Sequence, residues 1–225
     1  MDISLNHVEF AYGDEDFRLQ IPELKLAVGS HTAFVGPSGS GKTTLLRLLA
    51  GITQPQSGAI QIGDYSLHTL SDANRRAFRI KHIGFVFQDF RLIEYLNVRE
   101  NLRVSYRLNE ALNLTAKVNI RLESLAKELQ LTDKLDSTID TLSQGELQRA
   151  AIGRALLPKP KLILADEPTG NLDPSNKSRI LDLLFAHAAA NHATLVMVTH
   201  DHALLNRFEQ VIDFEEFHKK ENANA

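Results

Sequence analysis

Apolar and polar residues alternate along the first thirty residues, in two separate sets. The apolar positions are Ile3, Leu5, Val8 and Phe10, followed by Leu19, Ile21, Leu24, Leu26 and Val28. A period close to two is typical of strands that bury one face and expose the other. The pattern therefore predicts short strands joined by turns at the start of the chain.

The rest of the chain carries short apolar runs separated by stretches with helical periodicity. Strands are predicted at 32–35, 59–62, 83–87, 162–166, 194–199 and 211–214, and helices at 44–50, 71–79, 147–157 and 175–190. Continuous apolar runs are typical of parallel strands that are buried on both faces. The alternation of such strands with helices predicts an α/β fold.

A longer helical stretch is predicted from Asn101 to about Leu131. Its apolar residues recur at helical spacing on one face, as Val118, Leu122, Leu125 and Leu129. Charged residues lie opposite, so this stripe indicates ordinary helix packing and no chemistry. Ser71 and Ser143 each precede a predicted helix and are candidate N-cap residues.

Composition limits what can be built on these elements. The 225 residues are 43% hydrophobic, enough for one sizeable core in one domain with lobes. The net charge of −3 gives no electrostatic footprint for nucleic acid, and the absence of cysteine suits a reducing compartment. We see no signal peptide at the N-terminus and no apolar stretch of membrane-spanning length.

The strongest chemical motif follows the first predicted parallel strand. It reads Gly36, Pro37, Ser38, Gly39, Ser40, Gly41, Lys42, Thr43, and Thr44 opens the helix behind it. A glycine-rich loop between strand and helix can wrap backbone N–H groups around a phosphate chain. We expect Lys42 to reach the outer phosphates and the Thr43 hydroxyl to hold Mg²⁺. A purely structural turn is the alternative.

A second motif lies at the end of the 162–166 strand, where two acids follow an apolar run. Asp166 fits the carboxylate that supports Mg²⁺ beside a phosphate loop, and Glu167 fits a general base that orients water. Neighbouring side chains on a strand point in opposite directions, so the loop after the strand must bring both to one site. The alternative is a polar strand terminus without chemistry.

Two further predicted strands end in polar residues, Gln88 and His200. Ligand sites in open parallel sheets collect at such strand ends, although each residue alone would suit an ordinary loop. His200 and His202 resemble a metal pair, but their side chains would diverge. A nucleotide phosphate site explains His200 better.

Two positions, Tyr12 and Ser143, keep two interpretations each. Tyr12 can stack on an adenine or pack on its own sheet. Ser143 can simply cap its helix, or that helix start, with Gly145, can point at a phosphate. Asp173 is a natural N-cap before Pro174 at the first helical position.

Together these residues resemble the nucleotide-binding subunit of an ABC transporter, from about residue 3 to 215. The matching motifs, in order, are Tyr12, Gly36–Thr43 (Walker A), Gln88 (Q-loop), Leu142–Glu146 (signature), Leu162–Asp166 with Glu167 (Walker B and base), Asn171–Asp173 (D-loop) and His200 (switch histidine).

The resemblance implies a phosphate-loop NTPase core of the RecA-like type, with an N-terminal antiparallel β lobe and an inserted helical subdomain. Residues 1–89 and 159–217 would form the lobe and core, 90–158 the helical subdomain and 218–225 a polar tail. The implied ligands are ATP and Mg²⁺, with Thr43, Gln88 and Asp166 at the metal. The implied catalytic residues are Glu167, His200 and Gln88, and Tyr12, Ser143, Gly145 and Asp173 join the phosphate loop in binding nucleotide.

Two departures from the family pattern stand out. The signature is Leu-Ser-Gln-Gly-Glu here, with Gln144 and Glu146 in place of the usual Gly and Gln. Ser143 and Gly145 are retained, so hydrolysis is expected, and the sequence does not give the effect of Gln144 and Glu146 on its rate. The stretch after the Q-loop often reads Leu-Leu-Pro, whereas this chain has Leu92-Ile93-Glu94, which would alter the surface facing a membrane subunit.

Within the family, residues 164–173 look most like the lipoprotein-release, macrolide-export and cell-division group. The resemblance therefore implies a peripheral ATPase on the cytoplasmic face of a membrane, active as a homodimer. Gln88 and residues 90–98 would receive the integral membrane permease. The alternatives are a soluble ABC-type ATPase of DNA repair or translation, and an inactive regulatory subunit. The single cassette and its short insertion argue against the first alternative. The second is disfavoured because Lys42, Glu167 and His200 are intact.

Overall fold

The computed structural model describes residues 1–13, 17–109, 112–170 and 172–217. The strands are β1 (Ile3–Ala11), β2 (Arg18–Leu26), β3 (His31–Val35), β4 (Ser57–Ile62), β5 (Tyr65–Ser66), β6 (Ile83–Val86), β7 (Leu162–Asp166), β8 (Thr194–Val198) and β9 (Gln210–Asp213). The helices are α1 (Lys42–Leu49), α2 (Asp72–His82), α3 (Val98–Leu108), α4 (Ala116–Glu128), α5 (Gln144–Leu156) and α6 (Pro174–Asn191). The proposed tail, 218–225, lies outside the described residues.

Four strands form an antiparallel sheet in the order β2-β1-β4-β5. The alternation predicted from the sequence is present: Leu5 pairs with Leu24 on one side and with Ile60 on the other, and all three side chains are buried. Val28 departs from the predicted set, because it lies beyond β2 and is exposed. The predicted antiparallel lobe is confirmed.

Five strands form a parallel sheet in the order β6-β7-β8-β3-β9. Every residue of β7 and β8 is buried, as the apolar runs predict. Side chains of β7 alternate between two buried clusters on opposite faces of this sheet. Ile163 and Ala165 pack with α3–α6, while Leu162 and Leu164 pack with α1 and the antiparallel sheet. The sheet is therefore covered on both faces, and the α/β prediction is confirmed.

The stretch predicted as helical from 101 to 131 forms two helices, and the break between them was not predicted. The first begins earlier, at a capping box in which Asn97 and Glu100 bond reciprocally, and ends before Asn109, whose backbone is extended. The second begins after Thr115. Asparagine competes with its own backbone for hydrogen bonds, which favours helix ends at such positions. The predicted stripe from Val118 to Leu129 is buried, as expected.

None of the helices that the structure describes is long and apolar enough to cross a membrane.

We expect the close contact between β6 and α5 to be sensitive to one added methyl group. A Cβ at Gly84 would lie 2.5 Å from the carbonyl oxygen of Ala155 and 2.8 Å from Cγ of Pro160. Gly84→Ala should therefore lower the free energy of unfolding by about 1–3 kcal/mol, measured by urea denaturation. Gly170→Ala is the matched control, since its nearest neighbour would lie 3.6 Å away. Equal stability of both variants would contradict the predicted overpacking.

Candidate nucleotide-binding and catalytic site

The phosphate loop connects β3 to α1 and leaves the start of α1 open. Gly41 precedes the helix with φ 101°, a left-handed conformation, and a Cβ there would meet the Phe17 ring at 2.9 Å. Glycine is required on both counts. None of the described side chains caps this helix end, and its first turn carries no acid. Its free backbone N–H groups and partial positive charge can therefore bind an anion.

The ammonium group of Lys42 lies over this loop. Its Nζ donates to the carbonyl oxygens of Gly36 (2.9 Å) and Pro37 (2.6 Å) and to Oγ of Ser40 (3.3 Å). Burial lowers the pKa of Lys42, and the nearby carboxylates of Glu167 and Asp166 oppose that shift. The charge is thus held at the loop that is expected to bind phosphate.

Asp166 ends β7 directly beside Thr43 and is 4% exposed. Burial raises the pKa of this carboxyl, while a hydrogen bond from Thr43 lowers it. Its Oδ1 is buried and has no hydrogen-bond partner among the described residues. A buried oxygen without a partner is costly, and a hard cation satisfies it. Asp166 and Thr43 therefore fit a Mg²⁺ ion.

Glu167 follows with φ 47°, a left-handed conformation that is unusual for a residue with a side chain. Its backbone N–H donates to the carbonyl oxygen of Val198 at 3.0 Å, which ties this turn to the end of β8. Its Oε1 lies 3.0 Å from Nδ1 of His200. The turn thus brings Glu167 to the same edge as Asp166, as the prediction for adjacent strand residues required.

Most of the predicted site residues line one cleft of about 520 Å³. Its lining is Tyr12, Phe17, Gly36, Ser38, Gly39, Gly41, Lys42, Thr43, Thr44, Gln88, Glu167, Val198 and His200. A phosphate loop, an acid, a histidine and a glutamine therefore face one space, large enough for part of a nucleotide.

Tyr12 packs on its own sheet and also lines the cleft, so its contact with an adenine stays a prediction. Its ring packs edge-on against Phe10 with centroids 4.7 Å apart, and its hydroxyl lies 3.2 Å from Oγ1 of Thr44. Phe17 was not predicted as a site residue, and its ring lies 5.8 Å from that of Tyr12 in the same cleft. The two aromatic rings together form an apolar wall. The only indication in the sequence was an aromatic residue ahead of β2.

A second cavity of about 730 Å³ adjoins the first, and Gln88 and Thr43 line both. The other lining residues are Arg47, Ile52, Phe85, Phe87, Asp89, Arg91 and Asp166. The rings of Phe85 and Phe87 stack at 4.0 Å, and Ile52 is exposed. Gln88 therefore lies between the nucleotide cleft and a surface with apolar and charged character.

The backbone after Gln88 is held in an unusual path. Phe90 and Arg91 both have positive φ, and the guanidinium of Arg154 on α5 donates to both of their carbonyl oxygens. Burial lowers the pKa of Arg154 to about 10. Further along, the side chain of buried Asn101 bonds to the backbone of Ile93, Leu96 and Asn97.

Five predicted nucleotide-binding residues are not among the lining residues of either cavity: Pro37 and Ser40 of the phosphate loop, and Ser143, Gly145 and Asp173. Ser143 caps α5, with Glu146 completing a capping box, and Gln144 is the exposed first residue of that helix. Asp173 caps α6, where Oδ1 accepts from the backbone of Ser175 and Asn176. Hydrogen bonds from the side chains of the same two residues lower its pKa. Asn171, the first D-loop residue, lies outside the described residues.

One ion pair next to His200 was not predicted. Lys177 on α6 lies 2.8 Å from Oδ2 of Asp201, and this bond lowers the pKa of Asp201. The pair connects the helix capped by Asp173 with the segment that carries His200. The residues are 24 positions apart, so the sequence alone did not indicate the contact.

Comparisons with known proteins agree with this geometry. Residues 19–170 match the family described as ABC transporter. The chain is 38% identical over 213 residues to the ABC transporter ATP-binding protein YbbA of Escherichia coli strain K12, covering 93% of this chain and 92% of that protein. It is 41% identical over 192 residues to the lipoprotein-releasing system ATP-binding protein LolD 1 of Rhodopirellula baltica, covering 84% and 83%.

Two solved structures of MJ0796, a bacterial ABC transporter cassette, have the same fold. One is a dimeric post-hydrolysis state bound to ADP and Pi, with a TM-score of 0.84 and 30% identity over 94% of this chain and 93% of that chain. The other is also dimeric, with a TM-score of 0.85 and 31% identity over the same shares. The resemblance and the fold class predicted from the sequence are confirmed. The chain belongs to the ABC transporter family, among its ATP-binding proteins.

Proposed function

We propose that this chain binds ATP with Mg²⁺, hydrolyses it to ADP and phosphate, and drives a membrane permease of the lipoprotein-release type. The observation that carries the proposal is the 3.0 Å pair of Glu167 and His200 at the cleft that the phosphate loop lines. The family membership and the ADP-bound and Pi-bound relative support it. The relatedness to LolD 1 supports the type of transporter.

The phosphate loop and Lys42 account for nucleotide binding. The open start of α1 offers N–H donors to phosphate oxygens, and Lys42 exchanges its carbonyl contacts for the outer phosphates. Tyr12 and Phe17 offer apolar ring faces for the adenine. We assign Thr43, Gln88 and Asp166 to Mg²⁺, which, when bound, offsets negative charge on the phosphates.

Glu167 and His200 account for the chemistry. Glu167 accepts a proton from the attacking water at a carboxylate oxygen, while His200 holds the carboxylate through Nδ1 and faces the outer phosphate. The water oxygen then forms a bond to the terminal phosphorus, and the bond from that phosphorus to the bridging oxygen of ADP breaks. Gln88 lies where it can orient the same water.

We further propose that two copies of the chain close around the nucleotides. Ser143 and Gly145 stand at a helix start and face neither cavity of their own chain. If they bind phosphate, as the resemblance implies, that phosphate belongs to a second subunit. The dimeric cassettes with the same fold support this arrangement.

The surface that receives the permease is proposed to be Gln88 with residues 90–98, on the cytoplasmic face of the membrane. Three features support it. The second cavity adjoins Gln88, Arg154 and Asn101 hold the segment in a defined shape, and Tyr95 is 88% exposed. An exposed aromatic residue on a rigid loop suits an interface better than solvent.

Glu167→Gln should preserve ATP binding and lower turnover by roughly 10²–10⁴-fold, because the amide cannot accept the proton. The variant should also accumulate as an ATP-bound dimer, seen by size-exclusion chromatography. Glu128→Gln is the matched control, since it alters another glutamate–histidine contact, of 3.1 Å with His187, outside the cleft. Normal turnover in Glu167→Gln would remove Glu167 from the role of base.

Mixing two defective chains, each of which also carries Glu167→Gln, tests the shared site. One carries Lys42→Met; the other carries Ser143→Asp, which keeps a good N-cap while placing a carboxylate against phosphate. A shared site leaves one intact pair in the mixed dimer, so a single trapped ATP per dimer is expected. Neither chain alone should trap ATP. A mixture that traps none, while the background chain does, would refute the shared site.

Tyr95→Asp should release the chain from membranes that contain its permease, because a charge replaces an apolar contact. Since Tyr95 is exposed, the free energy of unfolding should change by less than about 0.5 kcal/mol. Val28→Asp, at an exposed apolar residue of the antiparallel sheet region, should leave membrane binding unchanged. Co-sedimentation with membranes measures both, and retention of Tyr95→Asp would exclude this residue from the interface.

A further inference from the structure

The hydroxyl of Ser143 is already engaged within its own chain. Its Oγ donates to Oε2 of Glu146 at 2.8 Å and accepts from the backbone N–H of Glu146 at 3.4 Å. The same Oε2 accepts from the backbone N–H of Ser143 at 2.8 Å. These three contacts fix both side chains at the start of α5.

The direction of the hydroxyl bond follows from the charge of Glu146. The backbone N–H and the hydroxyl of Ser143 both lower the pKa of this carboxyl, so it is ionised at neutral pH. An ionised carboxylate only accepts hydrogen bonds, and a serine hydroxyl has one proton to give. Ser143 therefore donates its only O–H hydrogen bond to Glu146.

A phosphate at this pH also has only acceptor oxygens to offer. To bind Ser143 through the hydroxyl, it must accept the O–H hydrogen bond that Glu146 now accepts, and it must approach a carboxylate of like charge. We propose that Glu146 competes with the partner's phosphate for the Ser143 hydroxyl and so sets the ATP concentration at which two subunits close. This inference rests on the shared site proposed above.

Lys134 modifies this competition. Its Nζ lies 3.6 Å from the other carboxylate oxygen of Glu146, and both side chains are only partly exposed. The ammonium offsets the charge that phosphate would meet and weakens the hold of the carboxylate on Ser143. Loss of Lys134 should hinder closure, and this effect should act entirely through Glu146.

Glu146→Gln removes the negative charge of this side chain while keeping the structure of the helix start. Glutamine also completes a capping box, so the helix start is preserved. Its neutral oxygen accepts a weaker hydrogen bond from the Ser143 hydroxyl than a carboxylate does. The chain offers a matched control in Glu100→Gln, the same change in the capping box of α3.

The experiment measures the ATP concentration that gives half-maximal dimer of the Glu167→Gln chain, by light scattering with Mg²⁺. Adding Glu146→Gln should lower this concentration about two- to tenfold, the range expected for one hydrogen bond. Lys134→Met should raise it, and the combination of Lys134→Met with Glu146→Gln should equal Glu146→Gln alone. Glu100→Gln should leave it unchanged. Thermal unfolding of each variant checks that it is folded.

Each other outcome overturns the inference in a distinguishable way. An unchanged or higher concentration for Glu146→Gln would show that the carboxylate does not compete. If Lys134→Met still raises the required ATP concentration when Glu146→Gln is also present, Lys134 acts on the phosphate directly and not through Glu146. If the Glu167→Gln chain forms no dimer with ATP, the shared site fails, and this inference fails with it.

Discussion

Four neighbouring parallel strands end at one edge of the sheet, and the site depends on that arrangement. The strand order β6-β7-β8-β3 differs from the chain order, in which β3 comes first. It places Gln88, the Asp166–Glu167 pair, His200 and the phosphate loop side by side, although they are spread over more than 160 residues. Each of these residues follows a buried strand that determines its position. The packing of the apolar core therefore fixes the geometry of the site at the carboxyl ends of the strands.

Much of this could be predicted because each strand end combines two independent patterns. An apolar run gives the strand, and a polar residue directly after it gives the candidate for chemistry. What was missed depends on contacts distant in sequence or on backbone angles. The proximity of Phe17 to Gly41, the pair of Lys177 with Asp201 and the left-handed turn at Glu167 have no local pattern. The helix break at Asn109 was missed because it lies in the extended backbone of that residue, which the apolar pattern does not report.

Glu146 shows how the same residue changes meaning when its contacts are known. Set against the family pattern, it was a substitution in the signature. In the structure it completes a capping box with Ser143, for which serine and glutamate three residues apart are a sequence indication. The backbone N–H groups at the starts of α1 and α5 thus differ in their hydrogen bonding. At α1 no described side chain accepts from these N–H groups. At α5 the carboxylate of Glu146 accepts from the backbone N–H of Ser143.

The bonds from Arg154 to the carbonyl oxygens of Phe90 and Arg91 have a mechanical consequence. Arg154 stands eleven residues beyond Ser143 on the same helix, about 16 Å along its axis. The segment after Gln88 is therefore hydrogen-bonded to one end of α5, and the other end of this helix carries the Ser143 hydroxyl. A rotation of this helix would displace both ends together, so the proposed nucleotide contact and the proposed permease contact share one moving element.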